Sequence, residues 1–467
     1  MKAMKRLLFG ALFLATALLL TACPQTPPPP SPSACAPIPQ DLAPQGLTPE
    51  PQGMGDFSAP HVPGELLVLP GGITPQGLAS LVEGIGLIGR LPGGFVHVRV
   101  SPGEERKKAE ALLRAGARWV QPNYLYYPLY VPNDPLYPAS LLDASRLQPY
   151  YQAIRLEAAW DRLGALPCTP VVAVLDTAFN PAHPDLQTNL LPGRNLTPDG
   201  LDPEDLSPSP PPQGSAYQSG DADHGQGVAG LVAAVADNNR GIPGVGLNWV
   251  KVLPLKVFYW VSGQYSSSSD VLATAIRYAA DHGAAIANLS LGSPTPLDGV
   301  VQQALGYALS KGTLSVAASG NGGTDGLYYP AAYPGVLAVG SARLEGTRSD
   351  FSNYSTQPKD LVLAAAGNRN SPETLWSLAL GKNYPYYQSL GAYAKWAGTS
   401  FAAPQVSALA ALYVAKYYAR YGQGPSPDQI RFCLTHTATN GSNYDPETGF
   451  GLVRADRVMT DTTYCFP

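Results

Sequence analysis

Apolar strand-like segments alternate with helix-like segments over most of the chain from Val131 onward. The strand-like segments, such as VVAVLD, VKVLPLKVF and TLSVAASGN, are apolar at successive positions, and GVAGLVAAVAD and SDVLATAIRYAADHG have helical character. Strands that are apolar on both faces are typical of a parallel sheet covered by helices on both sides. The sequence therefore predicts an α/β fold with a three-layer, mainly parallel β-sheet flanked by helices. Ligands of such sheets bind beyond the carboxyl ends of the strands.

The composition argues for a globular protein and against a nucleic-acid partner. Of 467 residues, 45% are hydrophobic and 14% are charged, and the formal net charge is -4. The hydrophobic fraction is sufficient for a sizeable core. Nucleic-acid binding relies on excess positive charge, which this chain lacks.

The first 60 residues predict export and a tether. Residues 1–22 combine an early basic region with an apolar stretch, as in a bacterial signal peptide. The following LTAC stretch resembles a lipoprotein cleavage box, so we expect lipid on Cys23 to anchor the precursor to the membrane. Ordinary cleavage beside an incidental cysteine is the alternative. Residues 23–60 are rich in Pro and Gln and predict a linker.

A small α+β domain is predicted over residues 61–131, ahead of a larger domain over 132–467. VPGELLVLP and GGFVHVRV have strand character, and GEERKKAEALLRAGA has helical spacing with acidic residues first.

Four further cysteines stand in a compartment that permits disulfides, and three pairings are open. Cys433 with Cys465 is weakly preferred because both fall in the C-terminal part of one domain, which leaves Cys35 and Cys168.

Four polar residues follow strands or begin helices of the predicted sheet. Asp176 ends VVAVLD, His224 precedes an apolar helix, Asn321 follows TLSVA and Ser400 starts a buried helix. Each residue alone has an ordinary structural role in a turn or a helix cap. Together they supply an acid, a base, an amide donor and a nucleophile, which is the set needed for acyl transfer.

Five segments resemble, in order, the motifs of the subtilisin-like serine proteases: AVLDTAFNPAHPDL, DHGQGVAG, NLSLGSP, SVAASGN and GTSFAAPQVSALAAL. The resemblance extends from about Pro132 to Ala455. It implies a serine endopeptidase that acts on polypeptides.

The resemblance also implies individual roles. Ser400 would be the nucleophile, His224 the general base and Asp176 the carboxylate that orients it. Asn321 would donate its side-chain amide to the oxyanion, together with the backbone N–H of Ser400. The backbone that pairs with an extended substrate and the facing wall of the specificity pocket would be formed by Ser290, Leu291, Gly292, Ala318, Ser319 and Gly320.

Two other assignments are open to the sequence. Asp223 adjoins His224, although neighbouring side chains diverge. Ser400, Asp428 and His436 follow the chain order of α/β-hydrolases, although the fifth position of the G-x-S-x-G elbow would be Ala402. A catalytically silent peptide-binding protein on the same scaffold is the alternative from another class.

The motifs depart from the family pattern at several positions. Ala178 replaces a glycine, which would matter if φ were positive. Gln226 and Gly227 replace threonine and a second histidine, and we expect Gly227→His to leave activity in place. Phe401 replaces methionine beside the nucleophile, so activity should resist peroxide. Gln405 replaces a common histidine.

The unit over 61–131 resembles the inhibitory propeptide of these proteases. The resemblance implies that the propeptide inhibits its own enzyme and that self-cleavage occurs between about Tyr130 and Pro132. Because Cys23 lies on the propeptide side, cleavage would release the catalytic domain from the membrane. An independent binding domain is the alternative.

Calcium is the cofactor that the resemblance implies. Asp185 and Asn239 match positions that commonly bind this ion in the family, and Asp134 is a further candidate ligand. Carboxylate and amide oxygens suit calcium.

Overall fold

The structure of the chain is a computed structural model. It describes residues 52–57, 61–74, 77–78, 80, 82–91, 94–124, 132–137, 148–295, 298–367 and 374–467. The predicted signal peptide, Cys23 and Cys35 lie outside the described residues. The chain divides into two units, Met1–Pro128 and Leu129–Pro467. Within the described ranges, no helix is both long and apolar enough to cross a membrane.

The first unit contains a sheet and a helix, as expected for an α+β unit. Its sheet has the strand order β1-β5-β2-β4-β3. Ala109 and Leu112 lie three positions apart on the helix, and both pack with Leu66 and Val98 of the sheet. The elements are β1 Gly53–Met54, β2 His61–Leu69, β3 Gly86–Arg90, β4 Val96–Arg99, α1 Glu105–Arg114 and β5 Trp119–Tyr124.

The second unit is built on a parallel sheet with the strand order β14-β13-β12-β11-β6-β8-β7. Two antiparallel pairs, β9 with β10 and β15 with β16, lie outside that sheet. The strands are β6 Val171–Asp176, β7 Arg194–Asn195, β8 Lys251–Lys256, β9 Tyr259–Val261, β10 Gln264–Ser266, β11 Ile286–Leu289, β12 Leu314–Ala318, β13 Leu337–Ala342, β14 Leu361–Ala365, β15 Leu375–Leu378 and β16 Tyr393–Trp396.

Helices cover both faces of this sheet. Along β6, Val172 and Val174 belong to a core that includes residues of α4 and α7, whereas Ala173 and Leu175 belong to a core that includes residues of α5 and α6. The helices are α2 Pro149–Ala153, α3 Leu156–Trp160, α4 His224–Ala233, α5 Ser269–Asp281, α6 Gly299–Ser310, α7 Thr399–Tyr421, α8 Pro427–His436 and α9 Ala455–Val458. The predicted three-layer α/β architecture is confirmed.

A disulfide joins Cys433 in α8 to Cys465 near the C-terminus. This is the preferred pairing, and it closes a segment with a sequence separation of 32. The chain-entropy relation for a closed loop of that size gives about 4 kcal/mol of stabilisation.

The topology brings several polar residues to one edge of the sheet. β6, β11 and β12 are parallel neighbours, so their carboxyl ends lie together. Asp176 is the last residue of β6, and α4 and α7 begin with His224 and Thr399. The Asp176 carboxylate and the N-terminal ends of the buried helices α4 and α7 therefore lie at the carboxyl-end edge of the sheet.

Candidate active site

Asp176 and His224 form a hydrogen-bonded pair. His224 Nδ1 donates to Asp176 Oδ1 at 2.7 Å, and the backbone N–H of Thr177 donates to the same oxygen at 2.8 Å. The Asp176 side chain is buried, whereas that of His224 is partly exposed. With the proton on Nδ1, the Nε2 atom of His224 carries the lone pair that a general base needs.

The surroundings stabilise the charged form of His224. Burial by itself lowers the pKa of His224, but the charge and hydrogen bond of Asp176 and the charge of Asp221 outweigh burial and raise this pKa above its ordinary value. An imidazolium that forms during proton transfer is therefore favoured by its partners.

Ser400 is the second residue of α7, and its hydroxyl points at the backbone of Ser290. Ser400 Oγ donates to the Ser290 carbonyl at 3.1 Å rather than to His224. The hydroxyl of Ser290 donates in return to the Ser400 carbonyl at 2.7 Å. A rotation about the Cα–Cβ bond of Ser400 would redirect its proton, and nucleophile–base hydrogen bonds often tighten only when substrate binds.

Two buried polar residues that the sequence analysis missed support this arrangement. Ser407 Oγ donates to Asn288 Oδ1 at 2.9 Å, and Asn288 Nδ2 donates to Ser290 Oγ at 2.9 Å. Both residues are fully buried, so each polar group depends on this chain of bonds. The available signal was a polar residue inside the apolar strand AAIANLSLG.

Asn321 is held by Thr399, the residue before Ser400. Its Oδ1 accepts hydrogen bonds from the backbone N–H of Thr399 at 3.0 Å and from the Thr399 hydroxyl at 2.9 Å. These bonds direct the amide NH2 away from Thr399. Gly398 has φ of +139°, a conformation that other residues rarely adopt, so glycine is needed where the chain enters α7.

A pocket of about 350 Å³ opens beside Ser400 and Asn321. Four of the six predicted substrate-binding residues line it: Leu291, Gly292, Ala318 and Gly320. Of the other two, Ser319 is fully buried and does not line the pocket, and Ser290 lines the neighbouring cavity against His224.

Tyr328 also lines the Ser400 pocket, whereas Tyr329 packs against Tyr333. A Cβ on Gly320 would lie 2.8 Å from Tyr328 Cγ, and φ of Gly320 is +109°. The tyrosine ring therefore occupies the space beside Gly320, and a larger residue at that position would push the ring out of place.

Two aromatic rings back the His224 imidazole. Trp396 and Phe401 are stacked with a centroid distance of 4.8 Å, and the Phe401 ring lies 5.1 Å from that of His224. A Cβ on Gly227 would lie 3.0 Å from Trp396 Cε2 and 3.1 Å from Phe401 Cε1. The space for a second histidine is filled by these rings, which argues against the expectation that Gly227→His leaves activity in place.

The other departures from the family pattern have structural roles. Ala178 is not among the described residues with positive φ, so its Cβ causes no backbone strain. Gln226 Oε1 accepts from the backbone N–H of Asn180 at 2.8 Å. Gln405 Nε2 donates to the carbonyls of Ala365 and Phe401 at 2.8 and 2.9 Å.

Asp223 is a structural anchor. Its buried carboxylate accepts hydrogen bonds from the segment between β15 and β16, at distances of 2.7 to 2.9 Å. The donors are the backbone N–H of Leu380, the hydroxyls of Tyr387 and Ser389 and the backbone N–H of Leu390. Asp223 therefore binds this long segment next to α4 and leaves the orientation of His224 to Asp176.

The rival triad does not assemble. Asp428 pairs with Arg431 at 2.9 Å, and the ring of His436 hydrogen-bonds through Nδ1 to the Phe432 carbonyl at 3.0 Å. Both residues line a separate cavity that does not include Ser400.

Asp134 and Asp185 are buried carboxylates with oxygens that lack donors. Asp134 Oδ2 accepts from the backbone N–H of Asp237 at 3.0 Å, and Asp185 Oδ1 accepts from Asn238 Nδ2 at 2.6 Å. Among the described residues, nothing donates to Asp134 Oδ1 or Asp185 Oδ2. Burial raises the pKa of Asp134 to about 6 and that of Asp185 to about 7. Asn238 hydrogen-bonds Asp185, whereas Asn239 is exposed, and its role as a calcium ligand stays a prediction.

The donor set is compatible with calcium. Two buried carboxylates with unfilled acceptor oxygens suit a hard cation with oxygen ligands. In the described part of the chain, no group of three or more His, Cys, Asp or Glu could hold a metal ion. A calcium ion would therefore need amide or backbone carbonyl oxygens in addition to the two carboxylates.

The fold and the site define a class: a parallel α/β protein that carries the side chains of acyl-transfer chemistry at its strand ends. A family model described as "Subtilase family" matches residues 169–452. Thermitase of Thermoactinomyces vulgaris is 32% identical over 330 residues, which cover 71% of this chain and 99% of thermitase. A thermophilic serine proteinase of Bacillus sp. (strain AK1) is 29% identical and covers 73% of this chain and 72% of its own.

Solved structures agree with this likeness. A protease from Pseudoalteromonas arctica PAMC 21717 has a TM-score of 0.57 and 29% identity, covering 71% of this chain and 99% of its own. Fervidolysin from Fervidobacterium pennivorans, at 24% identity, shares the fold with a TM-score of 0.53 over 87% of this chain and 62% of its own. The chain belongs to the subtilase family, and it is a serine endopeptidase.

Proposed function

We propose that this endopeptidase is an exported, self-processing zymogen that hydrolyses polypeptides through Ser400, His224 and Asp176. The observation that carries the proposal is the 2.7 Å hydrogen bond from His224 Nδ1 to Asp176 Oδ1, at the sheet edge where Ser400 begins a buried helix. Asn321 lines the same pocket as Ser400 and supplies the amide for the oxyanion.

The steps follow from these positions. A peptide in extended conformation pairs with the backbone around Ser290–Gly292, and its scissile carbonyl lies over Ser400. As Ser400 Oγ attacks, His224 Nε2 takes the hydroxyl proton and then delivers it to the leaving amine. Water then attacks the carbonyl of the acyl-enzyme while His224 Nε2 takes a proton from it. His224 returns this proton to Ser400 Oγ as the acid product leaves. Asn321 Nδ2 and the Ser400 N–H stabilise the oxyanion, and loss of one such donor lowers kcat about 100- to 1000-fold.

The unit before the catalytic domain acts, in this proposal, as an inhibitory propeptide. Its described residues form an α+β sheet unit that ends with β5 at Tyr124, shortly before the proposed self-cleavage between Tyr130 and Pro132. The likeness to the fervidolysin fold covers 87% of this chain, which is more than the catalytic unit alone. An independent binding domain is the competing interpretation.

Export and anchoring complete the proposal. Residues 1–22 direct export, lipid on Cys23 holds the precursor at the membrane, and self-cleavage releases the catalytic domain. An extracellular basic protease of Dichelobacter nodosus, 29% identical over 369 residues, supports action outside the cell.

Calcium fits the carboxylates of Asp134 and Asp185, with the side-chain amide of Asn238 as a further ligand. When bound, the ion supplies positive charge that stabilises two buried carboxylates. The chain's own part is to hold both carboxylates close to the loop over residues 237–241.

The decisive experiment labels the purified precursor with a fluorophosphonate and follows its self-cleavage. We expect labelling and processing in the wild type, and neither in Ser400→Ala or His224→Ala. Fractionation then compares membrane retention of the catalytic domain in wild type and Ser400→Ala, and equal retention argues against release. A folded wild-type protein that neither labels nor matures would leave the peptide-binding alternative.

A further inference from the structure

A second cavity, of about 510 Å³, lies against His224 and is separate from the Ser400 pocket. We call it the His224 cavity and define it by His224, Phe258, Trp260, Tyr265, Gln218 and Asp221. Phe258 lines both cavities, so they adjoin each other. A peptide with one side chain in the Ser400 pocket can therefore extend a neighbouring side chain towards the His224 cavity.

One wall of the His224 cavity is an aromatic cluster on the β9–β10 hairpin. Trp260 and Tyr265 are cross-strand partners with a ring distance of 5.6 Å, and Phe258 lies 5.9 Å from Tyr265. Tyr217 packs behind them at 5.0 Å from Trp260 and 4.7 Å from Tyr265. Such a cluster offers apolar area and electron-rich ring faces, which attract cations.

The lining of the same cavity also includes a carboxylate. Asp221 lines the cavity, and its Oδ2 accepts one hydrogen bond, from the backbone N–H of Gln218 at 2.8 Å. Burial raises the pKa of Asp221 above its ordinary value, although the Gln218 bond and the charge of His224 oppose the rise. Within the described chain, neither lysine nor arginine lines this cavity. His224 is therefore the basic residue of the protein that lines the cavity with Asp221, and a lysine or arginine partner would have to come from outside.

We propose that the His224 cavity binds a lysine or arginine side chain of the polypeptide substrate, on a residue next to the one that occupies the Ser400 pocket. The inference rests on the proposed function, because it needs a peptide bound in the cleft. The aliphatic stem of the basic side chain lies along Phe258 and Trp260, and its charged end pairs with Asp221. A neutral side chain of the same length would exclude water from the Asp221 carboxylate without supplying a new hydrogen-bond partner, so it should bind less tightly.

The test compares fluorogenic peptides that differ only at this residue, with lysine against norleucine and arginine against citrulline. For the mature wild-type enzyme we expect kcat/KM to be about tenfold higher for the charged member of each pair, as one ion pair and one cation–π contact would give. The ratio should fall towards one in Asp221→Asn and should decrease as salt is added.

The matched control is Asp202→Asn, which removes the same charge from an exposed aspartate that does not line the cavity. This variant should keep the wild-type ratio. Because each ratio is taken within one variant, an effect of Asp221→Asn on His224 itself cancels. A wild-type ratio near one, or a tenfold ratio that persists in Asp221→Asn, would overturn the inference.

Failure of the proposed function has a different signature. If the enzyme labels with fluorophosphonate and cleaves the norleucine peptide as fast as the lysine peptide, only the basic preference is refuted. If the folded enzyme neither labels nor cleaves any of the four peptides, both proposals are refuted.

Discussion

The packing around Gly227 gives the sharpest prediction, because it reverses what the sequence pattern suggested. A Cβ at this position would lie 3.0 Å from Trp396 Cε2 and 3.1 Å from Phe401 Cε1 and Trp396 Nε1. Both rings are nearly buried, so they have little room to withdraw. Even Gly227→Ala must therefore move the stack that backs the His224 ring.

Two opposing effects determine how Gly227→Ala changes the free energy of unfolding. Replacing glycine by alanine inside a helix gains about 1 kcal/mol in propensity, whereas overpacking a close-packed core costs about 1 to 3 kcal/mol. We expect Gly227→Ala to be neutral or destabilising by up to about 2 kcal/mol on these figures. Gly227→His adds an imidazole to the same crowded space. Because a displacement of about 1 Å near the chemistry can lower activity about 100-fold, we expect at least that loss in kcat/KM.

Gly306 provides the matched control. It lies in α6, is exposed, and a Cβ on it would meet nothing within 4 Å. Gly306→Ala should therefore raise the free energy of unfolding by about 0.5 to 1 kcal/mol, the helix-propensity gain without the crowding. Tm is measured on precursors that also carry Ser400→Ala, so that self-cleavage does not confuse the comparison, and kcat/KM is measured on the active enzymes.

A double variant separates crowding from a general defect. Phe401→Ala removes one ring of the stack, so Gly227→His with Phe401→Ala should recover part of the Tm lost by Gly227→His alone. Residues in contact typically show a coupling energy of about 0.5 to 3 kcal/mol. Wild-type Tm and kcat/KM in Gly227→His, or simply additive effects of the two substitutions on stability, would contradict crowding by the stacked rings.

Changes at four other places in the structure should have measurable effects. Asn288→Ala should lower kcat more than it raises KM, because Asn288 Nδ2 donates to the Ser290 hydroxyl, which in turn donates to the Ser400 carbonyl. An unchanged kcat in steady-state kinetics would show that the Asn288–Ser290 hydrogen bond does not position Ser400. Chelation should lower Tm more at pH 8 than at pH 5, because the pKa of Asp185 is raised to about 7 and its buried charge needs the cation only above that pH; equal losses at both pH values would contradict this. Asp199→Asn should lower the free energy of unfolding, measured in urea, by about 3 to 5 kcal/mol, because it leaves the buried Lys256 ammonium unpaired. Burial opposes the charged form of Asp199, but its hydrogen bonds and the charge of Lys256 outweigh burial and lower its pKa to about 2. The stabilisation by this pair in the wild type should therefore be lost as pH falls from about 4 towards 2. Phe401→Met should make activity more sensitive to peroxide, which residual-activity assays would show against untreated enzyme.

The sequence predicts the architecture well because the relevant signal is local. Apolar runs such as VVAVLD become β6, and the alternation of runs with helical segments becomes the parallel sheet with helices on both faces. The strand-end position of Asp176 and the helix-start position of His224 follow from the same pattern. The preferred pairing of Cys433 with Cys465 relied only on closeness along the chain, and the structure contains it.

The contacts that the sequence did not indicate join residues far apart in the chain. Asn238 Nδ2 donates to Asp185 Oδ1, 53 positions away, and the Asp237 N–H donates to Asp134 Oδ2, 103 positions away. The hydrogen-bond donors to Asp223, such as the Leu380 N–H and the Ser389 hydroxyl, lie 157 and 166 positions further along the chain, between β15 and β16. No periodicity or motif within either segment contains that information.

Gly227 and Phe401, the altered residues around His224, pack as one unit. Taken one at a time, Gly227 and Phe401 look like two unrelated departures from a family pattern, and neither removes a catalytic group. In the structure, the missing side chain at 227 is the space into which Trp396 and Phe401 stack, at 4.8 Å from each other and against His224. In a close-packed interior, a side chain as large as histidine at 227 competes with this stack for the same space. The two departures are therefore coupled, and restoring the family residue at one position alone should damage the site that it supports in other family members.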